Sequence, residues 1–163
     1  ENVSLKKFVE EQFLRSRKTM GISEDAIKLE LHFNEHLSFT VFKPMLYSIF
    51  YNLFSNSFKA LRPDFEKGVK NISIRVTGLT NKDRFHIHFS DDSSHGLTSD
   101  DNDILFDKRV SKGTLKEIGQ GLGLYNLREM LYHFDGEIQI EEPYFGKGTT
   151  FRISLPVENI TRS

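Results

Sequence analysis

Three glycines alternate in Gly119-Gln120-Gly121-Leu122-Gly123-Leu124, and apolar residues at helical spacing follow at once. A helix start offers unpaired N–H groups and a partial positive charge, which suits a phosphate. Glycine lets the backbone approach oxygen atoms that a β-carbon would hold off. A plainer alternative is a tight loop whose glycines only satisfy turn geometry. The dinucleotide fingerprint also spaces glycines, but it needs a strand directly before them inside a βαβ unit. Here a polar loop precedes them, which disfavours it.

A second group is Asn52-Leu53-Phe54-Ser55-Asn56-Ser57-Phe58-Lys59. Asn52 and Asn56 are four apart on a helical pattern, with Lys59 three further on, so the three lie close on the helix surface. Asparagine carbonyls are hard oxygen ligands that suit an Mg²⁺ ion also held by substrate phosphates. Lys59 can reach a phosphate as a point charge. The alternative is the polar edge of an amphipathic helix, its asparagines bonded to nearby backbone. Third, Asp91-Asp92-Ser93-Ser94-His95-Gly96 follows a strand directly. A carboxylate there can accept from an exocyclic amino group such as that of adenine, although Asp, Ser and Gly also make ordinary solvated turns. Fourth, Gly146-Lys147-Gly148-Thr149-Thr150 enters the last strand and doubles as a plain hairpin turn.

These groups need a scaffold. Leu5, Phe8, Val9, Phe13 and Leu14 predict a helix from about Ser4 to Arg17, with Ser4 as cap and Gly21 after it. Ile27, Leu29, Leu31 and Phe33 alternate with polar residues, as do Leu37, Phe39 and Val41, which predicts a hairpin across Asn34-Glu35-His36. Pro44 suits a first helical turn, and Leu46, Ile49, Phe50, Leu53, Phe54 and Phe58 form a wide apolar face. That helix is expected to stop at Arg62-Pro63-Asp64. Strands are expected around Ile72–Val76 and Phe85–Phe89. The long polar stretch from Ser90 to Gly119 suits a lid or binding loop. A helix to Phe134 and strands at Ile138–Ile140 and Phe151–Leu155 complete the chain, Pro156 ending the last. Adjacent strands pairing mostly as hairpins imply an α+β two-layer sandwich: a mixed, mostly antiparallel sheet with helices on one face.

The 163 residues suit a single domain able to bury a core without staples. Hydrophobic residues make up 37% and charged residues 28%, the balance of a globular rather than a disordered chain. A net charge of −1 gives no footprint for nucleic acid or an anionic membrane. The lack of cysteine excludes disulfides, thiolate metal sites and cysteine nucleophiles. No apolar run approaches the roughly 18 residues of a membrane span. Starting at Glu1, the chain is expected to be a piece of a longer protein.

Taken together, the groups resemble the catalytic and ATP-binding domain of sensor histidine kinases. Asn52 to Lys59 looks like the N box, and Asp91 to Gly96 like the G1 box. Leu105-Phe106 with Ser111-Lys112-Gly113 looks like the F box and ATP lid (about 97–118), Gly119 to Leu124 like the G2 box, and Gly146 to Thr150 like the G3 element. Each box alone is weak, but their order and spacing hold across nearly the whole chain. The resemblance implies the Bergerat fold of the GHKL superfamily, with ATP and Mg²⁺ as ligands. Asn56 would then hold Mg²⁺ with Asn52 in support, and Lys59 would touch phosphate. Asp91 or Asp92 would accept from the adenine amino group, beside Gly96 and Leu97, with Thr149 helping through water. Gly119, Gly121, Leu122, Gly123 and Leu124 would face the phosphates. Phe106, Lys112 and Arg109 would come from the lid.

The G1 box departs from its usual pattern of Asp, any residue, Gly, any residue, Gly. Counting back from Gly96 selects Asp92, with Ser94 in the first glycine's place; strand phase selects Asp91, with one residue inserted. Either way one glycine is lost, and the lid lacks the second aromatic of a typical F box. Hydrolytic members of the superfamily carry a glutamate where Asn52 stands, so the resemblance favours phosphoryl transfer to a protein over hydrolysis. The acceptor histidine would lie on a dimerisation domain absent from this chain, so this piece is expected not to phosphorylate itself. None of His32, His36, His86, His88, His95 and His133 has the setting of an acceptor. His86 and His88 share a strand face, which suits solvent-facing residues better than a metal site. The implied partners are that dimerisation domain and, indirectly, a response regulator or receiver domain. The implied setting is cytoplasmic, within a homodimeric parent open to anchoring in the inner or plasma membrane. Two alternatives stand beside this: a degenerate nucleotide-binding module regulating by contact, and an anti-sigma-type serine kinase.

Overall fold

Alternation decides which side of each strand meets the helices. In the computed structural model, described for residues 2–33, 37–40, 43–94, 96–101, 123–156 and 160–162, the chain runs β1 (Asn2–Ser4), α1 (Leu5–Thr19), β2 (Ile27–His32), β3 (Leu37–Thr40), α2 (Lys43–Glu66), β4 (Ile72–Asn81) and β5 (Arg84–Asp91). A short 3₁₀ turn (Ser99–Asp101), α3 (Gly123–His133), β6 (Glu137–Glu141), β7 (Thr150–Pro156) and β8 (Ile160–Arg162) follow. Five strands form one sheet in the order β2-β4-β5-β7-β6. β2 runs parallel to β4, and the other neighbours are antiparallel. Ile74, Val76, Phe85, Ile87, Phe89, Ile138, Ile140, Phe151, Ile153 and Leu155 are buried. The intervening residues, Arg75, Thr77, His86, His88 and Arg152 among them, stay partly exposed. The expected mixed, mostly antiparallel sheet with one helix-covered face is therefore present.

α2 is the centre of the core. Met45, Leu46, Ile49, Phe50, Leu53, Phe54, Phe58 and Leu61 are fully buried. Phe54 meets Phe89 of β5 edge-on at 4.9 Å between ring centroids, and Phe13 of α1 lies 5.6 Å away on another side. Aromatic contacts of this kind add to the area they bury.

Three local expectations are corrected. β2 and β3 do not form a hairpin: β2 pairs with β4, Ile27 opposite Ile72. β3 instead joins a separate three-stranded sheet, β1-β3-β8. α2 returns the chain to the main sheet and supplies the crossover that parallel neighbours require. Ser4 precedes α1 but makes no side-chain cap. It is also the last residue of β1, paired with Ser38. α2 runs through Pro63 to Glu66 rather than stopping at residues 62–64. A proline so near the end removes only one N–H from the last turns. The helix closes instead where Gly68 N–H reaches Phe65 O at 3.0 Å and Val69 N–H reaches Asp64 O at 3.0 Å, with Gly68 at φ +76°.

Candidate functional site

The alternation of β5 sends Asp91 to the same side as Phe89, facing the helices, where it is only 3% exposed. Its Oδ1 accepts from Ser93 N–H at 3.1 Å and, more weakly, from Thr149 N–H at 3.4 Å. Its Oδ2 accepts the Ser57 hydroxyl of α2 at 3.0 Å. Burial pushes its carboxyl above the ordinary range, and these hydrogen bonds work the other way without cancelling it. Asp92 is used differently. Its Oδ1 accepts Ser73 N–H at 3.0 Å, tying it to the start of β4. Strand phase thus gives the buried carboxylate, and the count back from Gly96 gives a structural one.

The turn before β7 closes this corner. Thr149 is buried; its Oγ1 accepts the N–H of buried Leu97 at 2.8 Å, and its carbonyl accepts Asp91 N–H at 3.0 Å. Gly148 sits at φ +76°, and a β-carbon there would collide with the Asp91 carbonyl. One at Gly96 would collide with the Gly148 backbone. Both glycines are needed because two chain segments touch backbone to backbone.

α2 forms the opposite wall. Asn56 is buried, and its amide nitrogen has no hydrogen-bond partner among the described residues. A buried polar atom in that state is costly unless something else satisfies it. Asn52 is half-buried and donates to Ser48 O at 2.7 Å, the backbone bonding of the plainer alternative. Its Oδ1 fills the space a β-carbon on Gly123 would need, so α2 meets the first residue of α3. Lys59 is exposed. The Leu124 side chain belongs to the core, which leaves only its backbone for a ligand. The arrangement gathers Asn52, Asn56, Asp91, Leu97, Gly123 and Thr149 around α2 and the ends of β5, β7 and α3. Phe106, Arg109, Lys112, Gly119, Gly121, Leu122 and His95 lie outside the described residues, as does the rest of the expected lid from 102 on.

Two contributors escaped the sequence. Ser57 binds Asp91 across the corner. Asp64, buried seven residues further along α2, accepts both the N–H and the hydroxyl of Ser94. A hydroxyl and a carboxylate at positions 57 and 64, in phase with the apolar face at 50, 54, 58 and 61, were the available signal.

Elsewhere, His88 faces Glu141 on the outer sheet surface at 3.4 Å. Among the described residues no group of three or more His, Cys, Asp or Glu gathers to hold a metal ion, and no helix is long and apolar enough to cross a membrane.

Residues 43–159 match the family described as histidine kinase-, DNA gyrase B- and HSP90-like ATPase, which covers most of the chain and every described wall of the corner. The chain belongs to this ATPase family. Within it, the sequence is similar to the sensor protein EvgS of Escherichia coli O157:H7, 38% identical over 71 residues, and to that of strain K12, 38% identical over 69 residues. Those stretches make up 42% and 41% of this chain but only 6% of either relative. The fold is that of histidine kinase catalytic domains. The catalytic domain of histidine kinase ThkA superposes with a TM-score of 0.73 at 17% identity, covering 96% of this chain and 94% of that one. A mycobacterial sensor histidine kinase, MprB, superposes with a TM-score of 0.70 at 16% identity, covering 96% of each. The chain thus joins this ATPase family's sequence pattern to the fold of histidine kinase catalytic domains.

Proposed function

We propose that this domain binds Mg-ATP in the corner between α2, the end of β5 and the start of α3, and transfers the γ-phosphate to a histidine on an adjoining dimerisation domain. The observation that carries the proposal is the buried Asp91 carboxylate. It is held by Ser57, Ser93 and Thr149 at the floor of the corner, with acceptor capacity beyond those bonds. That acceptor takes the adenine amino group, Thr149 adds a water-mediated contact, and Gly96 and Leu97 complete the floor.

The wall residues suit the phosphates. Asn56 is the residue for Mg²⁺: among the described residues its buried amide nitrogen has no partner, and its carbonyl is the kind of oxygen Mg²⁺ accepts. Asn52 supports it. Bound Mg²⁺ supplies neutralisation of the phosphate charge. Lys59 adds a positive charge from the same helix. Gly123 and Leu124 offer backbone N–H groups at the start of α3, and the family resemblance would add Gly119, Gly121 and Leu122 to the phosphates and Phe106, Lys112 and Arg109 from a lid. The side chain at position 52 is an amide that cannot take a proton from water, so transfer to protein is favoured over hydrolysis. The parent is a homodimeric sensor kinase that passes phosphate onward to a receiver domain, with this domain on its cytoplasmic side.

The test has two stages. Mg-ATP at about 100 times its dissociation constant should add roughly 2.7 kcal/mol, several degrees in thermal midpoint, and the shift should need Mg²⁺. Mixing the domain with a dimerisation domain and labelled ATP should then give acid-labile label on the added domain only. Lack of any thermal shift at millimolar ATP would overturn the binding proposal. Acid-stable label would overturn the histidine acceptor.

A further inference from the structure

Between Asp91 and Leu97 the chain is held at four points. Asp92 is tied to Ser73 N–H of β4, and Leu97 N–H to the Thr149 hydroxyl. Gly96 lies against the Gly148 backbone. The fourth point joins the loop to a helix. Asp64, 3% exposed in the last turn of α2, accepts the Ser94 N–H at 3.0 Å and the Ser94 hydroxyl as well. Seven residues earlier on α2, Ser57 grips the Asp91 carboxylate itself. A carboxylate accepting two bonds from one residue fixes both its position and its orientation. A buried carboxylate needs hydrogen-bond donors, and Ser94 supplies two of them. A serine with its backbone pinned in this way does by hydrogen bonding what a short glycine turn does by conformational freedom.

We propose that Asp64 and Ser94 are positioning residues for adenine recognition: their clip sets the loop against α2 so that Asp91 keeps an oxygen directed at the base. The proposal rests on the reading that Asp91 accepts from the adenine amino group. It makes the altered loop a different solution to the same task, so selectivity for adenine depends on residues far from the phosphates.

The test compares three probes on the whole 163-residue chain by calorimetric titration with Mg²⁺ present: ATP, purine riboside triphosphate, which lacks the amino group, and inorganic tripolyphosphate. Wild type should prefer ATP over the purine analogue. Asp64→Asn should cut that preference roughly tenfold and Ser94→Ala roughly threefold, with tripolyphosphate affinity unchanged. Ser94→Thr, which keeps both donors, should restore it. The Ser94 side chain is exposed, so that variant stays folded even where Asp64→Asn does not. A preference that survives Ser94→Ala and a folded Asp64→Asn would overturn the positioning role while leaving the adenine reading standing. A parallel fall in tripolyphosphate affinity would reduce the clip to general support and overturn the proposal too. If wild type shows no preference, the Asp91 reading itself fails and the clip's role fails with it.

Discussion

The side-chain oxygen of Asn52 occupies the space that a β-carbon on Gly123 would fill. The middle of α2 and the first residue of α3 are therefore fitted to each other. An alanine at 123 would push Asn52 off its bond to Ser48 O. Losing that bond costs about 1 kcal/mol, and the narrower unfolded ensemble of alanine at a position without positive φ returns about 0.4–1 kcal/mol. Gly123→Ala should therefore leave urea-unfolding stability within about 1 kcal/mol of wild type. It should nevertheless weaken Mg-ATP binding, because it moves a wall of the proposed phosphate site. Unchanged affinity would show that the Asn52–Gly123 fit is only structural.

Asp91→Asn should separate stability from binding. Burial raises the carboxyl's folded pKa, so the stability linked to its protonated form is fully present below the ordinary carboxylate value. That contribution is lost as pH rises through the raised value. At pH 7 the neutral amide should make the domain more stable than wild type, with the advantage disappearing in strong acid. ATP affinity should fall at least tenfold, since an N–H replaces an acceptor. Thermal midpoints across pH, with and without Mg-ATP, check both parts.

Asn56→Ala removes a buried amide whose nitrogen is unpaired among the described residues. Deleting an unsatisfied group costs little, so the apo domain should lose less than about 1 kcal/mol. The Mg²⁺-dependent thermal shift should disappear. A variant that kept the shift would remove Asn56 from the proposed metal site.

On the outer sheet surface, desolvation lowers the His88 pKa, with Arg152 and Arg75 adding to the effect and Glu141 opposing it. Stability tied to neutral His88 is present above its ordinary value of 6.5 and is lost as pH falls through the lowered one. His86 shifts in the same direction, also chiefly by desolvation. His88→Gln should flatten the decline in stability between about pH 7 and 5, and the double variant with His86→Gln should flatten it further. An identical pH profile for the single variant and wild type would contradict the assignment.

Phe54 is fully buried and contacts rings from α1, α2 and β5. Phe54→Ala should cost about 3–5 kcal/mol, or roughly 6–20 °C in thermal midpoint for a domain of this size. Calorimetry would show it, and a loss below about 1 kcal/mol would mean that α1 and the sheet collapse into the cavity.

Periodicity is a local property, and it made the elements legible. The apolar face of α2, the alternation of β4 and β5, and the helical spacing after Gly123 were all visible in the chain itself, as was the family. Pairing is not local. Alternation in β2 and β3 could not say that β2 would take β4 as a parallel neighbour and leave β3 to β1 and β8. Pro63 looked like a stop because the tertiary contacts of the following turn, beginning with buried Asp64, cannot be seen in sequence. Strand phase pointed to Asp91 and the count back from Gly96 to Asp92, so the letters alone left the choice open. Strand phase and the partners Ser57 and Thr149 put one inside, and Ser73 drew the other to β4. Residue types and spacing were enough to determine the family to which the chain belongs. Which carboxylate is buried, and what holds it, depended on hydrogen bonds between residues 30 or more positions apart, and only the folded chain brings those together.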